Sequence, residues 1–196
     1  YGGLQDNGVW AGPNNYEHNV EWLQDGKYPY EFLSGGDGMQ VQIDTRTNNL
    51  VYTGYQFGNY TKIDRISGER KYITPQADKK EEPYRFNWQA PILLSSHNQD
   101  VVYFGGQYVF RSMNQGKDWE KISTDLTNGK VEGNVPFGTI TAIAESKFKF
   151  GKLVIGTDDG NIYVTKDSGE NWTKISSNLP QHLWVSRVRF SSFNTD

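Results

Sequence analysis

Two stretches of the chain repeat each other, and this repeat constrains the fold more than any other feature of the sequence. Residues 100–126 align with residues 152–179, so that Trp119 and Trp172 occupy equivalent positions. A third and more degenerate copy covers residues 50–73. A period of about 50 residues with about four short strands in each copy is typical of a β-propeller, in which small antiparallel sheets are arranged around an axis.

The composition agrees with a chain built from strands. The 196 residues include 21 Gly, and short alternating runs such as residues 139–144 recur between turn-forming dipeptides, whereas long segments with helical periodicity are missing. Aromatic residues make up 14% of the chain and supply apolar area in place of the scarce aliphatic side chains. We therefore predict an all-β fold, a β-propeller with four-stranded antiparallel blades, of which about four are present as part of a larger propeller.

The repeat also divides the chain, which we expect to be a single propeller domain or a fragment of one over residues 1–196. Within a blade the strands are lettered A to D from the axis outward, and the last predicted A strand lies at residues 185–190. The predicted units are a partial blade at 1–34, blades at about 35–80, 86–130 and 136–180, and the start of a further blade at 183–196.

Charge and composition exclude several classes of function. The chain has 20 basic and 23 acidic residues and a net charge of −3, which does not provide the positive field that nucleic-acid binding needs. No apolar run approaches the ~18 residues of a membrane-spanning helix, so we predict no membrane insertion. With no Cys and only 3 His, the sequence offers few of the usual metal ligands, and we predict neither a metal nor a cofactor.

A turn motif occurs once in each of the two best copies of the repeat. Residues 165–172, Thr-Lys-Asp-Ser-Gly-Glu-Asn-Trp, resemble the Asp-box, S/T-x-D-x-G-x-T/S-W, of the bacterial neuraminidase repeat families, and residues 112–119 have Asn at the Asp position. In such a turn a short carboxylate accepts backbone N–H groups, glycine takes a positive φ and tryptophan covers the hairpin. Because one copy has no carboxylate at the Asp position, we predict a structural role for Asn114, Gly116, Trp119, Asp167, Gly169 and Trp172.

Other segments resemble a particular group of propellers. Residues 2–10, 35–38, 89–92 and 156–161 include Gly-Gly-Leu-Gln-Asp-Asn-Gly-Val-Trp, Gly-Gly-Asp-Gly, Gln-Ala-Pro-Ile and Gly-Thr-Asp-Asp-Gly-Asn. Together they are similar to bacterial proteins grouped with the N-terminal propeller of sortilin, which are related to xyloglucanase-type glycosyl hydrolases. The resemblance covers nearly the whole chain and implies a propeller superfamily rather than one activity. It also implies a secreted or periplasmic location and further blades that complete the propeller.

Propeller topology sorts the connecting loops onto two ends of the molecule. Antiparallel strands put the D-to-A and B-to-C connections at one end and the Asp-box turns at the other. The first end then combines aromatic rings with carboxylates and amides, which suits a sugar because sugars have apolar C–H faces and hydroxyl edges. The residues that we predict to bind a ligand there are Tyr55, Trp88, Gln89, Phe137, Asp158 and Trp184.

Simpler explanations of these residues stay open at the level of sequence. The segment that contains Asp158 is rich in turn formers and can be an ordinary β-turn. Trp88 and Trp184 can pack between blades instead of facing a ligand. The glycines around Asp37 can serve only to let an inner strand approach its neighbours closely.

The sequence therefore leaves two main functions open. The one that we favour is an extracytoplasmic recognition module that binds a glycan or a peptide at the end formed by the D-to-A and B-to-C loops. The alternative is a xyloglucanase-like glycoside hydrolase that acts on polysaccharide through paired carboxylates, for which Asp6 and Asp37 are the candidates. A scaffold without a small ligand is expected if the aromatic residues are buried between blades.

Overall fold

The computed structural model describes residues 1–180 and 182–195, so residue 196 of the last predicted unit lies outside the described residues. Within them, short strands form four sheets, and one helical turn, α1 (Glu21–Gln24), lies in the first part of the chain. The first sheet contains β1 (Gly2–Leu4), β2 (Gly8–Ala11) and β3 (Glu31–Ser34). The second contains β4 (Val41–Ile43), β5 (Leu50–Tyr55), β6 (Asn59–Asp64) and β7 (Arg70–Tyr72). The third contains β8 (Ile92–Leu94), β9 (Val102–Gly105), β10 (Val109–Ser112) and β11 (Glu120–Lys121). The fourth contains β12 (Ile140–Glu145), β13 (Leu153–Thr157), β14 (Ile162–Thr165) and β15 (Thr173–Lys174).

Every sheet is an antiparallel meander in which strands that follow each other in the sequence are paired. The fold class predicted from the sequence, an all-β propeller with about four blades, is confirmed. Three sheets have four strands and the first has three. The blade boundaries drawn from the repeat stay predictions. Among the described residues, no helix has the length and apolar character needed to cross a membrane.

The apolar core lies between successive sheets. Val9 and Leu33 of the first sheet pack with Val51 and Ile63 of the second. Rings fill the next junction, where Tyr60 and Phe104 meet edge to face with centroids 5.2 Å apart. Aliphatic side chains fill the junction between the third and fourth sheets, including Val109, Leu153 and Ile155. Because each junction buries side chains from two sheets, each sheet depends on its neighbours for stability.

The first strand of a sheet lies against the end of the second strand of the sheet before it. A Cβ added to Gly105 would lie 2.9 Å from the side chain of Ile140, so the close approach requires glycine there. At three junctions a backbone N–H also donates to a backbone carbonyl of the preceding sheet or its adjoining loop: Gly38 to Leu4 at 3.0 Å, Ile140 to Gly106 at 2.7 Å and Val185 to Thr157 at 3.0 Å. In the first of these the acceptor lies on β1, since the first sheet has only three strands.

The segment at residues 185–190 differs from the sequence prediction of an A strand. Its first residue makes the same contact to the fourth sheet that Ile140 makes to the third, but the segment has no strand hydrogen-bond ladder. The reason is physical: a strand is defined by its pairing, and no described segment lies beside residues 185–190 as a second strand.

Candidate ligand-binding rim

One end of the molecule collects the loops that the sequence assigns to the candidate site. We call this end the loop rim. It is formed by residues 5–7, 35–40, 56–58, 84–91, 106–108, 127–139, 158–161 and 182–184. Hydrogen bonds and side-chain contacts between sheets connect these loops along the rim.

Asp37 fastens the first sheet to the second. Its carboxylate Oδ1 accepts the backbone N–H of Asp6 at 2.9 Å, and its own N–H donates to Oε1 of Gln56 at 3.2 Å. The Asp37 side chain is buried, whereas Asp6 is exposed and takes a left-handed backbone conformation with φ of 62°. The structure therefore brings the two candidate catalytic residues together through a hydrogen bond to the Asp6 backbone. The Asp37 carboxylate is the acceptor in this bond, inside the protein.

A cluster of aromatic side chains lies next to the hydrogen bonds of Asp37. The rings of Phe57 and Trp88 meet edge to face with centroids 5.1 Å apart, and the N–H of Phe57 donates to the carbonyl of Trp88 at 3.2 Å. Gly36 packs against Tyr55, where an added Cβ would lie 2.8 Å from the Tyr55 Cβ. Gln89 follows Trp88 and is exposed. Tyr55, Trp88 and Gln89 thus lie on neighbouring loops of the rim.

The buried Asp158 carboxylate connects two neighbouring loops in the middle of the rim. Oδ1 accepts the N–H groups of Gly138 (3.1 Å) and Thr139 (3.0 Å), and Oδ2 accepts the Thr139 hydroxyl (2.6 Å) and the Asn87 amide (3.4 Å). Burial raises the pKa of Asp158, and the hydrogen bonds from Thr139 and Gly138 oppose that rise. These bonds fix the loops that carry Trp88 and Phe137. Direct contact between Asp158 and a ligand stays a prediction.

Trp184 lies at the far end of the rim, beside the turn between β13 and β14. A Cβ on Gly160 would lie 3.1 Å from the backbone nitrogen of His182, and Val185 is hydrogen-bonded to Thr157. These contacts seat residues 182–185 on the fourth sheet. Across the described chain, no cluster of three or more His, Cys, Asp or Glu residues is arranged to hold a metal ion.

The opposite end carries the two turns that resemble the Asp-box, which we call the first box turn (residues 112–119) and the second box turn (residues 165–172). In the first, the Ser112 hydroxyl accepts the Gly116 N–H at 2.8 Å, and Asn114 Oδ1 accepts the Asp118 N–H at 2.9 Å. The Asn114 amide also donates to Asp118 Oδ2 at 2.8 Å. The network closes the turn without a carboxylate at its third position.

The second box turn repeats this network with the amide and the carboxylate exchanged. Asp167 Oδ1 accepts the Asn171 N–H at 3.0 Å, and the Asn171 amide donates to Asp167 Oδ2 at 2.9 Å. Hydrogen bonds from the side chain and backbone of Asn171 and from the Thr165 hydroxyl lower the pKa of Asp167 to about 2. The partners at the seventh position, Asp118 and Asn171, were missed by sequence reasoning, although their equal spacing from Asn114 and Asp167 was the signal.

Each box-turn tryptophan bonds to the sheet before its own. The indole N–H of Trp119 donates to the carbonyl of Ile73 at 2.7 Å, and that of Trp172 donates to the carbonyl of Ile122 at 2.8 Å. Gly116 and Gly169 have positive φ, and Gly116 lies against Ile73 as Gly169 lies against Ile122. The turns therefore join sheets as well as strands.

A charged network lies at this same end. Arg46 Nη2 contacts Asp44 Oδ2 at 2.6 Å and Asp100 Oδ1 at 2.7 Å, and the Gln115 amide donates to Asp100 Oδ1 at 2.9 Å. The guanidinium lowers the pKa of Asp44, which is buried, and that of Asp100. The network connects the second and third sheets and leaves both carboxylates paired.

No protein-family model and no curated protein matches the sequence. Among solved structures, similar ones include a GH74 xyloglucanase from Xanthomonas campestris, with a TM-score of 0.52 and 12% identity over 72% of this chain and 23% of that one. An ancestral GH74 enzyme has a TM-score of 0.50 and 15% identity over 71% of this chain and 18% of that one. YCF48 bound to D1 peptide has a TM-score of 0.44 and 18% identity over 70% of this chain and 39% of that one.

These similarities establish the β-propeller fold and nothing finer. The identities are low, and the fold assignment depends on the two GH74 structures because their TM-scores are the higher ones. The chain spans between 18% and 39% of the length of the three proteins.

Proposed function

We propose that the chain is a β-propeller recognition module that binds a glycan at the loop rim. The observation that carries the proposal is a series of half-exposed aromatic side chains along one end of the molecule. The exposed fractions are 40% for Tyr55, 38% for Trp88, 36% for Phe137 and 49% for Trp184. Ring faces of this kind cover the apolar C–H faces of sugars.

The rim is also well positioned by the protein itself. Phe57 packs against Trp88, and Asp158 fixes the loops that carry Trp88 and Phe137. A ring held in place before binding loses little conformational freedom on contact with a ligand, which favours affinity. The exposed amide of Gln89 and the exposed carboxylate of Asp6 are available to hydroxyl groups.

The carboxylate contacts favour binding over hydrolysis. Glycoside hydrolysis needs two carboxyl groups that face the sugar at a fixed separation. Asp37 is buried and accepts the Asp6 N–H, and Asp158 accepts groups from three residues of the protein. Neither carboxylate is thus free to transfer a proton to a ligand. Asp6 alone does not make a catalytic pair.

Two finer predictions belong to the same proposal. We propose that the box turns are true Asp-boxes of a bacterial sortilin-like propeller, which their shared hydrogen-bond network supports. We also propose an extracytoplasmic location, where structural polysaccharides are encountered. Cell fractionation with an antibody to the protein tests the location, and recovery in the cytoplasm alone would contradict it.

A polysaccharide panel tests the binding function. Xyloglucan, mixed-linkage β-glucan and a control dextran are titrated into the protein by calorimetry. We expect Trp88→Ala to weaken binding about tenfold or more, which corresponds to about 1.4 kcal/mol. Phe148→Ala is the matched control, because Phe148 is also exposed but lies in the turn between β12 and β13, at the opposite end of the strands.

Three results would overturn the proposal. Release of reducing sugar that disappears in Asp37→Asn would establish hydrolysis instead. Binding to a peptide library with no binding to any glycan would replace the ligand class. Equal affinities of Trp88→Ala and the unsubstituted protein would place the glycan elsewhere on the surface.

A further inference from the structure

An isoleucine follows the last strand of each four-stranded sheet and occupies the same place in all three. Ile73 follows β7, Ile122 follows β11 and Ile175 follows β15. Each donates its backbone N–H to the third strand of its sheet, and the next residue uses its hydroxyl to accept an N–H from the same strand residue. The N–H donations run from Ile73 to Tyr60 (3.0 Å), from Ile122 to Val109 (2.9 Å) and from Ile175 to Ile162 (2.9 Å). The hydroxyl acceptors are Thr74 (3.0 Å), Ser123 (2.8 Å) and Ser176 (3.0 Å).

The first two isoleucines are covered by a box turn of the following sheet. Only 4% of Ile73 and 7% of Ile122 is exposed. A Cβ on Gly116 would lie 3.1 Å from the Ile73 Cβ, and one on Gly169 would lie 2.8 Å from the Ile122 Cβ. The indole N–H groups of Trp119 and Trp172 donate to the two isoleucine carbonyls. Each isoleucine is thus packed against one glycine and accepts a hydrogen bond from one tryptophan.

Ile175 has the same backbone position but no such cover. Its exposed fraction is 56%, and no hydrogen bond to its carbonyl occurs within residues 1–180 and 182–195. A large aliphatic side chain therefore lies on the surface beside a carbonyl that has no donor among the described residues, at the site that a box turn covers in the other two sheets.

A second contact at the same face points to a further sheet. Val185 is hydrogen-bonded to Thr157 as Ile140 is to Gly106, and Gly156 lies against Val185 as Gly105 lies against Ile140. The segment that begins at Val185 therefore lies where the first strand of a following sheet lies at the previous junction. This contact is independent of Ile175, because it belongs to the loop rim at the other end of the strands.

We propose that the surface around Ile175 is the docking site for a further blade that carries a turn of the pattern Ser/Thr-x-Asp/Asn-x-Gly-x-x-Trp. The glycine of that turn packs on the Ile175 side chain, and its tryptophan indole N–H donates to the Ile175 carbonyl. Repetition of both contacts at two junctions of this chain supports this occupant. The first sheet of a second copy fits less well, because residues 12–30 between β2 and β3 contain no such pattern.

The absence of cysteine from the sequence allows a direct test with single thiols. Ile175→Cys and, as the matched control, Ile122→Cys are made in the chain as it stands. The same two cysteine variants are also made in a longer chain, in which residue 190 is followed by a copy of residues 146–180 that supplies the remaining strands and a box turn. A further protein carries Ile175→Cys in this longer chain and has alanine in place of the tryptophan of the added turn.

Maleimide labelling rates under native conditions give the readout. In the original chain we expect the thiol at position 175 to react at least tenfold faster than the thiol at position 122. The added copy is expected to slow labelling at position 175 at least tenfold, and the alanine substitution in the added turn is expected to restore most of the rate. Circular dichroism reports whether the added strands form.

Every other outcome counts against the proposal. A folded extension that leaves position 175 reactive would overturn it. A copy of residues 96–130, which carries the other box turn, serves as a second extension. If neither extension becomes ordered, the surface does not dock such a blade. Protection of position 175 in the original chain, together with a dimer in sedimentation, would assign the surface to a second copy.

Discussion

The two box turns have the same hydrogen bonds but place an amide and a carboxylate in opposite positions. The first has Asn114 in third place and Asp118 in seventh, and the second has Asp167 and Asn171. In both, an amide donates to a carboxylate across the turn, at 2.8 Å and 2.9 Å. The difference teaches that both turns of this chain pair a carboxylate with an amide, with an oxygen at the third position, and that either place can supply the charge.

The largest expected effect concerns what the two turns share. Trp119→Ala and Trp172→Ala each remove ring packing and leave an isoleucine carbonyl without its donor between two sheets. We expect each to lower the free energy of unfolding by about 3 kcal/mol, measured by denaturant titration. Trp184→Ala, at an exposed ring, is the control and should cost less than about 0.5 kcal/mol. A large cost at only one turn would show that the two are not equivalent.

The two box turns differ in how closely their glycines, Gly116 and Gly169, pack against the preceding sheet. An added Cβ would lie 2.6 Å from the Ile122 carbonyl oxygen at Gly169, but 3.1 Å from the nearest Ile73 atom at Gly116. Gly169→Ala is therefore expected to cost about 2 to 3 kcal/mol, and Gly116→Ala less, about 1 to 2 kcal/mol. Gly68→Ala isolates the backbone penalty, because φ there is +74° and nothing lies within 4 Å. Chemical denaturation of the three variants ranks them, and the reverse order of the first two would contradict the packing distances.

Exchange of the paired groups tests the central comparison. Asn171→Asp places two carboxylates in the second box turn and is expected to lower the melting temperature by less than Gly169→Ala does. Adding Asp167→Asn restores the pair in the arrangement of the first turn, so the double variant should recover most of the loss. If the double variant is less stable than Asn171→Asp alone, the third position of the second turn needs its charge.

The smallest expected effect is the pH dependence of the second turn. The folded-state pKa of Asp167 is about 2, below its ordinary value of 3.8, because Asn171 and Thr165 donate hydrogen bonds to it. Its stabilising contribution is therefore full above 3.8 and is lost as the pH falls toward 2. Thermal unfolding should show a steeper acid loss for the unsubstituted protein than for Asp167→Asn. Parallel curves would show that the carboxylate adds nothing in this range.

The repeat was enough to predict the sheets, since strand composition and turn glycines act within one blade. The alignment of Trp119 with Trp172 also placed the box turns correctly at equivalent points of two sheets. The acceptors of those tryptophans, Ile73 and Ile122, could not be derived, because they belong to the preceding sheet and depend on how sheets stack. The helical turn α1 was not predicted, because four residues give no measurable periodicity.

The candidate site shows the same limit. Exposed rings at Trp88 and Trp184 follow from topology, because the loops of one end must share a surface. The internal bonds of Asp37 and Asp158 do not, because a sequence gives the presence of a carboxylate but not the donors that reach it from another sheet. Burial decides whether such a carboxylate contacts a ligand or bonds within the protein, and burial depends on how all the sheets pack together.

Gly105 and Gly156 have a consequence for curvature. Both lie against the first residue of the segment that follows, so that an added Cβ would lie 2.9 Å from the Ile140 side chain at Gly105 and would overlap the Val185 side chain at Gly156. A methyl group at either position would widen the gap between sheets on the inner side and change the angle between two neighbours. Angular errors accumulate around a circle of repeated units. We therefore expect Gly105 and Gly156 to influence the angle between neighbouring sheets and, through it, the number of blades in a closed ring.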